Sequence, residues 1–360
     1  MSNIFVRRTE PTPRLGVYQM YWSFASKRHA AFEARLAGAP WPWSSDPILQ
    51  TFKFCNVFRA LDRVSQYLIH DVAYRIDSQT TALDRVFQIV AFRTFSNIRT
   101  WRETMAELGG PPRIDHLRSG AFEQALDQVK GRAGGLYTGA FILCANKAFG
   151  FDEKHRNHVA LFRHMFVESA CAERAMSASS LKVLVELLQS FPLMGPFMAY
   201  QTAIDINYST LTDFGENDFV QAGPGSLRGL KKAFSSLGDY SASDVILWMV
   251  ERQAREFNDL GLEFNGLFGR PLHAIDCQGL FCELDKYCRE ALPELTSARS
   301  RIKARYRPSS ESLPIYLPPK WRLKSSGSLP GVREGNPHPP TRAKTPKRKS
   351  IQMNIDLFDA

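Results

Sequence analysis

The chain has 360 residues, of which 44% are hydrophobic and 12% aromatic, so it can bury a larger core than one small domain needs. Its formal net charge is +10, and half of that charge lies in residues 321–360, where eight basic residues accompany three acidic ones. The remainder of the chain is only mildly basic. Any anion-binding site in it must therefore be a local patch rather than a field over the whole surface.

The distribution of apolar residues excludes two classes of protein. No apolar run approaches the roughly 18 residues that a membrane span needs, so we expect no membrane partner. Residues Met1 to Arg14 are polar and lack the apolar segment of a signal peptide. Because six cysteines occur in a long chain, we expect free thiols in a reducing compartment, namely the cytoplasm or nucleoid, or the nucleus in a eukaryotic cell.

Helical periodicity dominates the chain after a flexible lead-in at residues 1–14. Apolar residues recur at helical spacing from Tyr18 to Leu36, and Asp46-Pro47 combines a capping side chain with a proline that suits a first turn. We predict further helices near residues 60–75, 82–95, 97–108, 119–131, 155–175, 179–190, 197–208, 241–257 and 276–291. The predicted fold is all-α, with a bilobed helical body over residues 15–307.

Polar side chains cluster around a predicted helix start near residue 56. The set comprises Asn56, Arg59, Asp62, Arg63 and Gln66. Arginine can bind a phosphate with two N–H groups, and asparagine or glutamine can hydrogen-bond a base edge. Nearby Trp41, Trp43 or Phe58 can stack on an extruded base. The alternative interpretation is an internal Arg–Asp network that clamps two helices, with the tryptophans in the core.

The segment FPLMGPFMAYQTA at residues 191–203 joins two predicted helices through a proline- and glycine-rich turn. It resembles the helix-hairpin-helix of DNA glycosylases, whose hairpin reads LPGIGPYTA. Leu193 departs from that pattern because the family has its first glycine there. Free N–H groups at a helix start, together with the helix dipole, attract a phosphate, so we predict that Gly195 and Phe197 contact DNA. A plain helical hairpin is the alternative.

A second glycine-rich segment follows the hairpin after a short acidic spacer. In the glycosylases a catalytic Asp follows the hairpin, and this resemblance implies Asp218 as the catalytic residue, which would stabilise positive charge on a sugar or activate a nucleophile. The alternative is an Asp that caps a helix or a turn. We predict that Gly223 and Gly225 form a tight turn which, with Arg228, binds an anion.

Several motifs between residues 18 and 290 resemble those of one family. They include Arg28-His29, PWSSDPIL at 42–49, FCNVFR at 54–59, DRVSQ at 62–66, QAGPGSLRGL at 221–230 and the segment from Gln278 to Arg289. These motifs resemble the helical domain associated with phage-type 5-hydroxymethyluracil DNA kinases and the related alpha-glutamyl/putrescinyl thymine pyrophosphorylases.

The resemblance implies a DNA glycosylase-like fold, DNA as a partner and action on a thymine-derived base, by hypermodification or excision. The printed sequence contains no GxxxxGK[ST] loop, so we do not expect this chain alone to be a P-loop kinase. The alternatives are a non-catalytic DNA-binding module that acts with a separate kinase or transferase, and a helical scaffold. We count Arg28 among the expected DNA contacts, and we predict no cofactor.

The C-terminal part of the chain predicts a tether with a docking peptide. Residues 308–350 are rich in Pro, Ser, Gly and basic residues and read as a disordered linker. Residues 351–360 resemble a sliding-clamp peptide, with Gln352, Ile355, Leu357 and Phe358 at the expected spacing. Chance similarity is the alternative for so short a motif. The spacings between His273, Cys277, Cys282 and Cys288 do not fit a metal or iron–sulfur site, so we predict no bound metal.

Overall fold

The computed structural model describes residues 8–138, 147–295, 302, 304–308 and 315–323. Within these residues the chain is built from α-helices and one small antiparallel sheet, which confirms the predicted all-α class. The helices are α1 (Leu15–Leu36), α2 (Pro47–Thr51), α3 (Arg63–Tyr67), α4 (Ala82–Phe95), α5 (Ile98–Leu108), α6 (Ile114–Ser119), α7 (Ala121–Ala133), α8 (Lys154–Arg163), α9 (Cys171–Met176), α10 (Leu181–Gln189), α11 (Pro196–Tyr208), α12 (Pro224–Ala233), α13 (Ala242–Asp259) and α14 (Ala274–Ala291). None of them is both long enough and apolar enough to cross a membrane.

Shorter elements complete the described fold. Two π-helical turns continue α3 and α8, and 3-10 turns precede α3, follow α14 and lie near the end of the described chain; the five turns are Leu68–Ala73, His164–Glu168, Arg59–Leu61, Pro293–Leu295 and Pro319–Trp321. Strand β1 (Thr12–Pro13) pairs antiparallel with β2 (Phe234–Ser236), which joins the N-terminal segment to the connection between α12 and α13.

The helices pack in two groups around one apolar core. Helix α1 packs with α12 and α14, and its Tyr18 and Trp22 rings meet Trp248 and Phe257 of α13, so the first helix lies against the last three. Helix α4 is the centre of the second group and contacts α5, α6, α8, α9 and α11. Buried aromatic rings, among them Trp22, Phe87 and Phe281, fill both groups. Burial of such large side chains is the main favourable contribution to folding.

The contact between α12 and α14 depends on glycine. A Cβ atom added to Gly229 would overlap the backbone carbonyl of Phe281, and one added to Gly225 would overlap the Cys282 side chain. The two helices therefore approach closely because neither glycine has a side chain. The sequence prediction missed α12 and interpreted Gly223 and Gly225 as a tight turn. They instead form the N-terminal cap and first turn of a helix that begins at Pro224.

Two terminal segments make more contacts than the sequence analysis expected. In the predicted lead-in, the Thr9 amide donates to Asp239 Oδ2 over 2.7 Å and the Arg14 amide donates to the Ala233 carbonyl over 2.7 Å. In the predicted linker, Tyr316 is buried and exchanges hydrogen bonds with Gln66. The described parts of both segments are therefore hydrogen-bonded to the helical body. The predicted clamp peptide lies outside the described residues.

Candidate nucleic-acid interface

The α10–α11 turn holds a residue in a left-handed conformation. Leu193 has a φ of 65°, in the region that favours glycine, and it occupies the position of the first glycine of the hairpin pattern. The turn is closed by the Met194 amide, which donates to the Phe191 carbonyl over 3.2 Å. A leucine in this conformation costs about 1 kcal/mol or more. The turn thus keeps the backbone shape that a glycine would adopt most easily.

Helix α11 begins at a glycine that is open to solvent. Gly195 is the N-terminal cap, with extended backbone angles, and no side chain among the described residues caps the helix there. Gly195 is exposed, and an added Cβ atom would meet no atom of the described residues within 4 Å. The 13-residue helix places the positive end of its dipole at this point. The start of α11 is therefore accessible to an anion.

The start of α12 lies beside that of α11. Gly223 is again an extended N-terminal cap followed by proline, and no side-chain cap is present among the described residues. A Cβ atom on Gly223 would lie 2.6 Å from the Phe197 ring and 3.2 Å from Gln278 Nε2. Two Gly-Pro helix starts are thus in contact, an arrangement that the sequence did not indicate.

A chain of contacts continues from the second helix start across α14. Gly225 touches Cys282, and the adjacent Glu283 accepts a hydrogen bond from the Cys55 amide over 3.0 Å. Arg28 Nε donates to the Cys55 carbonyl over 3.1 Å. We call this set the helix-start surface; it comprises Gly195, Phe197, Gly223, Gly225, Cys55 and Arg28, of which Gly223 is itself buried against the Phe197 ring. Five of these six residues were predicted to contact DNA.

Basic side chains lie beside this surface on α12. Arg228 Nε contacts Asp285 Oδ2 at 3.0 Å, and Lys232 and Arg289 contact the same carboxylate at 3.1 and 2.7 Å. Burial opposes ionisation of Asp285, but hydrogen bonds from Arg289, Arg228 and Lys232 hold its pKa below the usual value. One buried carboxylate therefore pairs with three cations, and of these Arg228, with 29% of its side chain exposed, is the one that reaches the surface.

Arg59 is part of a closed ionic network in the interior. Its Nη1 lies 2.8 Å from Asp205 Oδ1, and its Nε donates to Gln201 Oε1 over 2.7 Å. The fully buried Asp205 also pairs with Arg93. Burial disfavours the charged guanidinium, yet the Asp205 carboxylate outweighs it and raises the pKa of Arg59. This geometry corresponds to the internal clamp left open by the sequence, although the partner is Asp205 rather than Asp62.

The other residues of the predicted cluster have different surroundings. Asn56 is buried, with Nδ2 donating to the Leu61 carbonyl and Oδ1 accepting from Arg28. Gln66 holds the Tyr316 backbone with both of its amide atoms. Arg63 is exposed at the first residue of α3. The structure thus joins Asn56 to Arg28 but directs Gln66 toward the C-terminal segment.

Asp218 lies on an exposed turn between α11 and α12. Its amide donates to the Gly215 carbonyl over 3.1 Å, and its carboxylate lies so close to Gly215 that an added Cβ atom there would be 2.6 Å from both oxygens. The neighbouring Phe219 ring lies 6.1 Å from that of Tyr200 in α11, and Asn217 caps Ala274 at the start of α14. Asp218 therefore has the geometry of a turn residue, on a turn that contacts the start of α14 and the Tyr200 ring of α11.

A buried polar cluster at the start of α14 was not foreseen. Arg270 Nη2 lies 2.8 Å from Glu216 Oε1, and Asp276 accepts hydrogen bonds from the Arg59 and His273 amides at 2.9 and 3.0 Å. Burial raises the pKa of Asp276 to about 7. Burial and the charge of Arg270 lower the pKa of His273 to about 3. The sequence feature that could have predicted this cluster is the segment HAID, whose His273 and Asp276 form a capping pair at the start of α14.

One group among the described residues has the spacing of metal ligands. Oxygen and nitrogen atoms of Asp127, Glu153 and His155 lie within 4.8 Å of one another. Lys130 pairs with Glu153, and Arg156 lies 3.3 Å from Asp127 and 2.8 Å from Glu153. These carboxylates already have cationic partners within the protein, so the group does not favour a metal ion.

Comparison with known proteins places the chain in a family. A family model described as "5-hmdU DNA kinase, helical domain" matches residues 15–297. A curated 5-hmdU DNA kinase of Bacillus phage SP10 is 24% identical over 309 residues, which cover 79% of this chain and 47% of that protein. The chain thus spans about half the length of this relative. No solved structure matches the chain. Because the family model covers most of the helical body, this chain belongs to the 5-hmdU DNA kinase helical-domain family.

Proposed function

We propose that this protein binds DNA through the helix-start surface and acts on 5-hydroxymethyluracil in DNA. The observation that carries the proposal is the contact between two Gly-Pro helix starts, one of which, at Gly195, is fully open. The relative from phage SP10 is described as a 5-hmdU DNA kinase, which supports the choice of base. The hairpin would act in the manner of a helix-hairpin-helix.

The physical reason is the chemistry of helix N-termini. Backbone N–H groups at an uncapped start have no partner within the helix, and the helix dipole adds positive potential. A phosphate oxygen can satisfy those donors if no side chain blocks its approach, and glycine provides that access. Contacts of this kind position DNA without reading its sequence. Arg228 and the exposed Lys231 would add the salt-dependent part of the affinity.

A direct binding measurement tests the DNA assignment. We expect a labelled duplex with one 5-hydroxymethyluracil to bind in fluorescence anisotropy, with an affinity that falls as salt rises. A duplex with thymine at the same position measures recognition of the base. Failure of both duplexes to bind at low salt would contradict the proposed function, whereas equal binding would support backbone contact and contradict recognition of the modified base.

Asp218 is the proposed catalytic residue in the glycosylase-like version of this function. Its carboxylate would stabilise positive charge on a sugar or activate a nucleophile once DNA covers the exposed turn. Mass spectrometry of nucleosides from DNA incubated with the protein and candidate donors gives the test. We expect Asp218→Asn to abolish turnover while binding persists, and Asp213→Asn, a 91% exposed carboxylate on the same loop, to retain it.

The second candidate is a non-catalytic module that presents DNA to a separate kinase or transferase. It is favoured by the family description as a helical domain and by the coverage of only 47% of the phage kinase. The two candidates differ in one outcome. A protein that binds 5-hydroxymethyluracil DNA but yields no new nucleoside with any donor supports the module and contradicts the role of Asp218.

A further inference from the structure

A cleft lies between the second half of α1, the loop before α2 and the segment around residue 306. Antiparallel backbone contacts hold its far wall: the Lys53 amide donates to the Ala304 carbonyl, and the Tyr306 amide donates to the Thr51 carbonyl, each over 3.0 Å. Phe32 and Phe54 line the apolar base of the cleft. The walls of the cleft are therefore joined by backbone hydrogen bonds, and the cleft is not a gap between independent loops.

Aromatic rings form the mouth of the cleft. The Trp41 and Tyr306 rings are stacked, with centroids 5.2 Å apart and an interplanar angle of 18°. Trp43 meets Trp41 edge-on at 5.2 Å and 89°. Trp41 nevertheless remains 39% exposed, which is unusual for so large an apolar side chain. A planar ligand can extend this stack because it would bury apolar surface against the exposed Trp41 ring, whose position is already fixed by Tyr306.

The charge of the cleft restricts what can enter it. Among the described residues that line it, Arg28 and Arg35 are charged and no acidic side chain is present. Arg28 is oriented by its hydrogen bonds to the Cys55 carbonyl and, at 2.7 Å, to Asn56 Oδ1. Burial lowers the pKa of Arg28, so an anion nearby would stabilise its charge. Two arginines disfavour a cationic amine, although aromatic boxes often bind one.

We propose that this cleft binds the pyrimidine of a nucleotide, stacked on Trp41, with the phosphate held by Arg28 and Arg35. The inference rests on the proposed function, because Arg28 belongs both to the cleft and to the helix-start surface, and a base leaving the bound DNA would meet the cleft there. A free nucleotide offers the same planar ring and phosphate, so the two sources of the ligand must be distinguished by experiment.

Two titrations of the full chain separate these sources. Calorimetry with 5-hydroxymethyl-dUMP measures the free nucleotide. Fluorescence anisotropy with a labelled single strand carrying one 5-hydroxymethyluracil, compared with a strand that is abasic at that position, measures the base within DNA. We expect Trp41→Ala to weaken binding of the nucleotide or of the base-containing strand about tenfold, and Trp41→Phe to retain most of it. Phe151→Ala is the matched control, because Phe151 is an aromatic side chain with 40% exposure outside the cleft.

The outcomes are separable from those of the proposed function. A Trp41-dependent preference for the base-containing strand over the abasic strand supports DNA as the source, and Trp41-dependent binding of the nucleotide alone supports a free nucleotide. Equal binding by wild type and Trp41→Ala in both titrations, or no binding of either probe, overturns the cleft proposal. Duplex binding that persists in Trp41→Ala but is weakened by substitutions at Gly195 would support the proposed function. The same result would contradict a role of the cleft in binding the base.

Discussion

The Asp205 network and the helix-start surface are both rich in groups that could hold a phosphate, yet only one of them is open. Asp205 is fully buried and pairs with both Arg59 and Arg93, so those guanidinium groups share an anion inside the protein. At Gly195 the donors are backbone amides, and in the part of the chain that the structure describes no side chain fills the space. Arginine content alone is thus a poor guide to an anion site, because a single buried carboxylate can occupy two arginines.

The largest expected effect is the loss of stability when the buried Asp205 carboxylate is removed. Asp205→Asn removes the carboxylate that two arginines share, which leaves buried positive charge without compensation and should cost about 3–5 kcal/mol of unfolding free energy. Urea unfolding followed by circular dichroism measures it. Asp115→Asn is the control, since Asp115 pairs with Arg118 on the surface with 77% of its side chain exposed, and we expect a change below about 0.5 kcal/mol. Similar losses in both variants would contradict a structural role for the network.

A smaller, pH-dependent effect should arise beside the network at Asp276. Burial raises the pKa of Asp276 from its usual 3.8 to about 7 in the folded protein, so the folded state retains a proton that the unfolded chain has released. Stability should therefore fall as pH rises from about 4 to about 7 and stay level above that range. The unfolding free energy of Asp276→Asn, measured relative to that of wild type, should rise by about 2–4 kcal/mol across this window. Urea titrations at several pH values measure it, and a constant difference would show that Asp276 does not hold the proton.

Two glycines allow a packed position to be compared with a position that has free space around it. Gly229→Ala would force a Cβ atom into the Phe281 carbonyl, and we expect a loss of about 1–3 kcal/mol. Gly279→Ala is the matched substitution in α14, where a Cβ atom meets nothing within 4 Å, and it should stabilise the protein by about 0.5–1 kcal/mol through helix propensity. Thermal unfolding of both variants gives the comparison. A stable Gly229→Ala would mean that α12 and α14 are not packed as closely as described.

The sequence supports the fold better than the site, for physical reasons. Helical periodicity reports burial directly, so α1, α10, α11 and α13 were predicted near their observed positions. Helix α12 was missed because Gly225 and Gly229 are poor helix formers, and their value lies in a contact with α14 that is distant in sequence. The Gly195 start follows from local turn chemistry. The pairing of Arg59 with Asp205 across 146 residues does not, because no local pattern specifies which carboxylate an arginine meets.

One substitution tests the central claim, that DNA is held at the open helix start. Gly195→Asp places a negative side chain where the phosphate should bind, while Asp is itself a preferred N-terminal cap and fits the free space, so the fold should persist. Ser241→Asp adds the same charge at the cap of α13, away from the helix-start surface. In anisotropy titrations with 5-hydroxymethyluracil duplex we predict at least about tenfold weaker binding for Gly195→Asp, from loss of a charge-assisted contact, and a change below about twofold for Ser241→Asp. Equal affinities for the two variants would contradict the account.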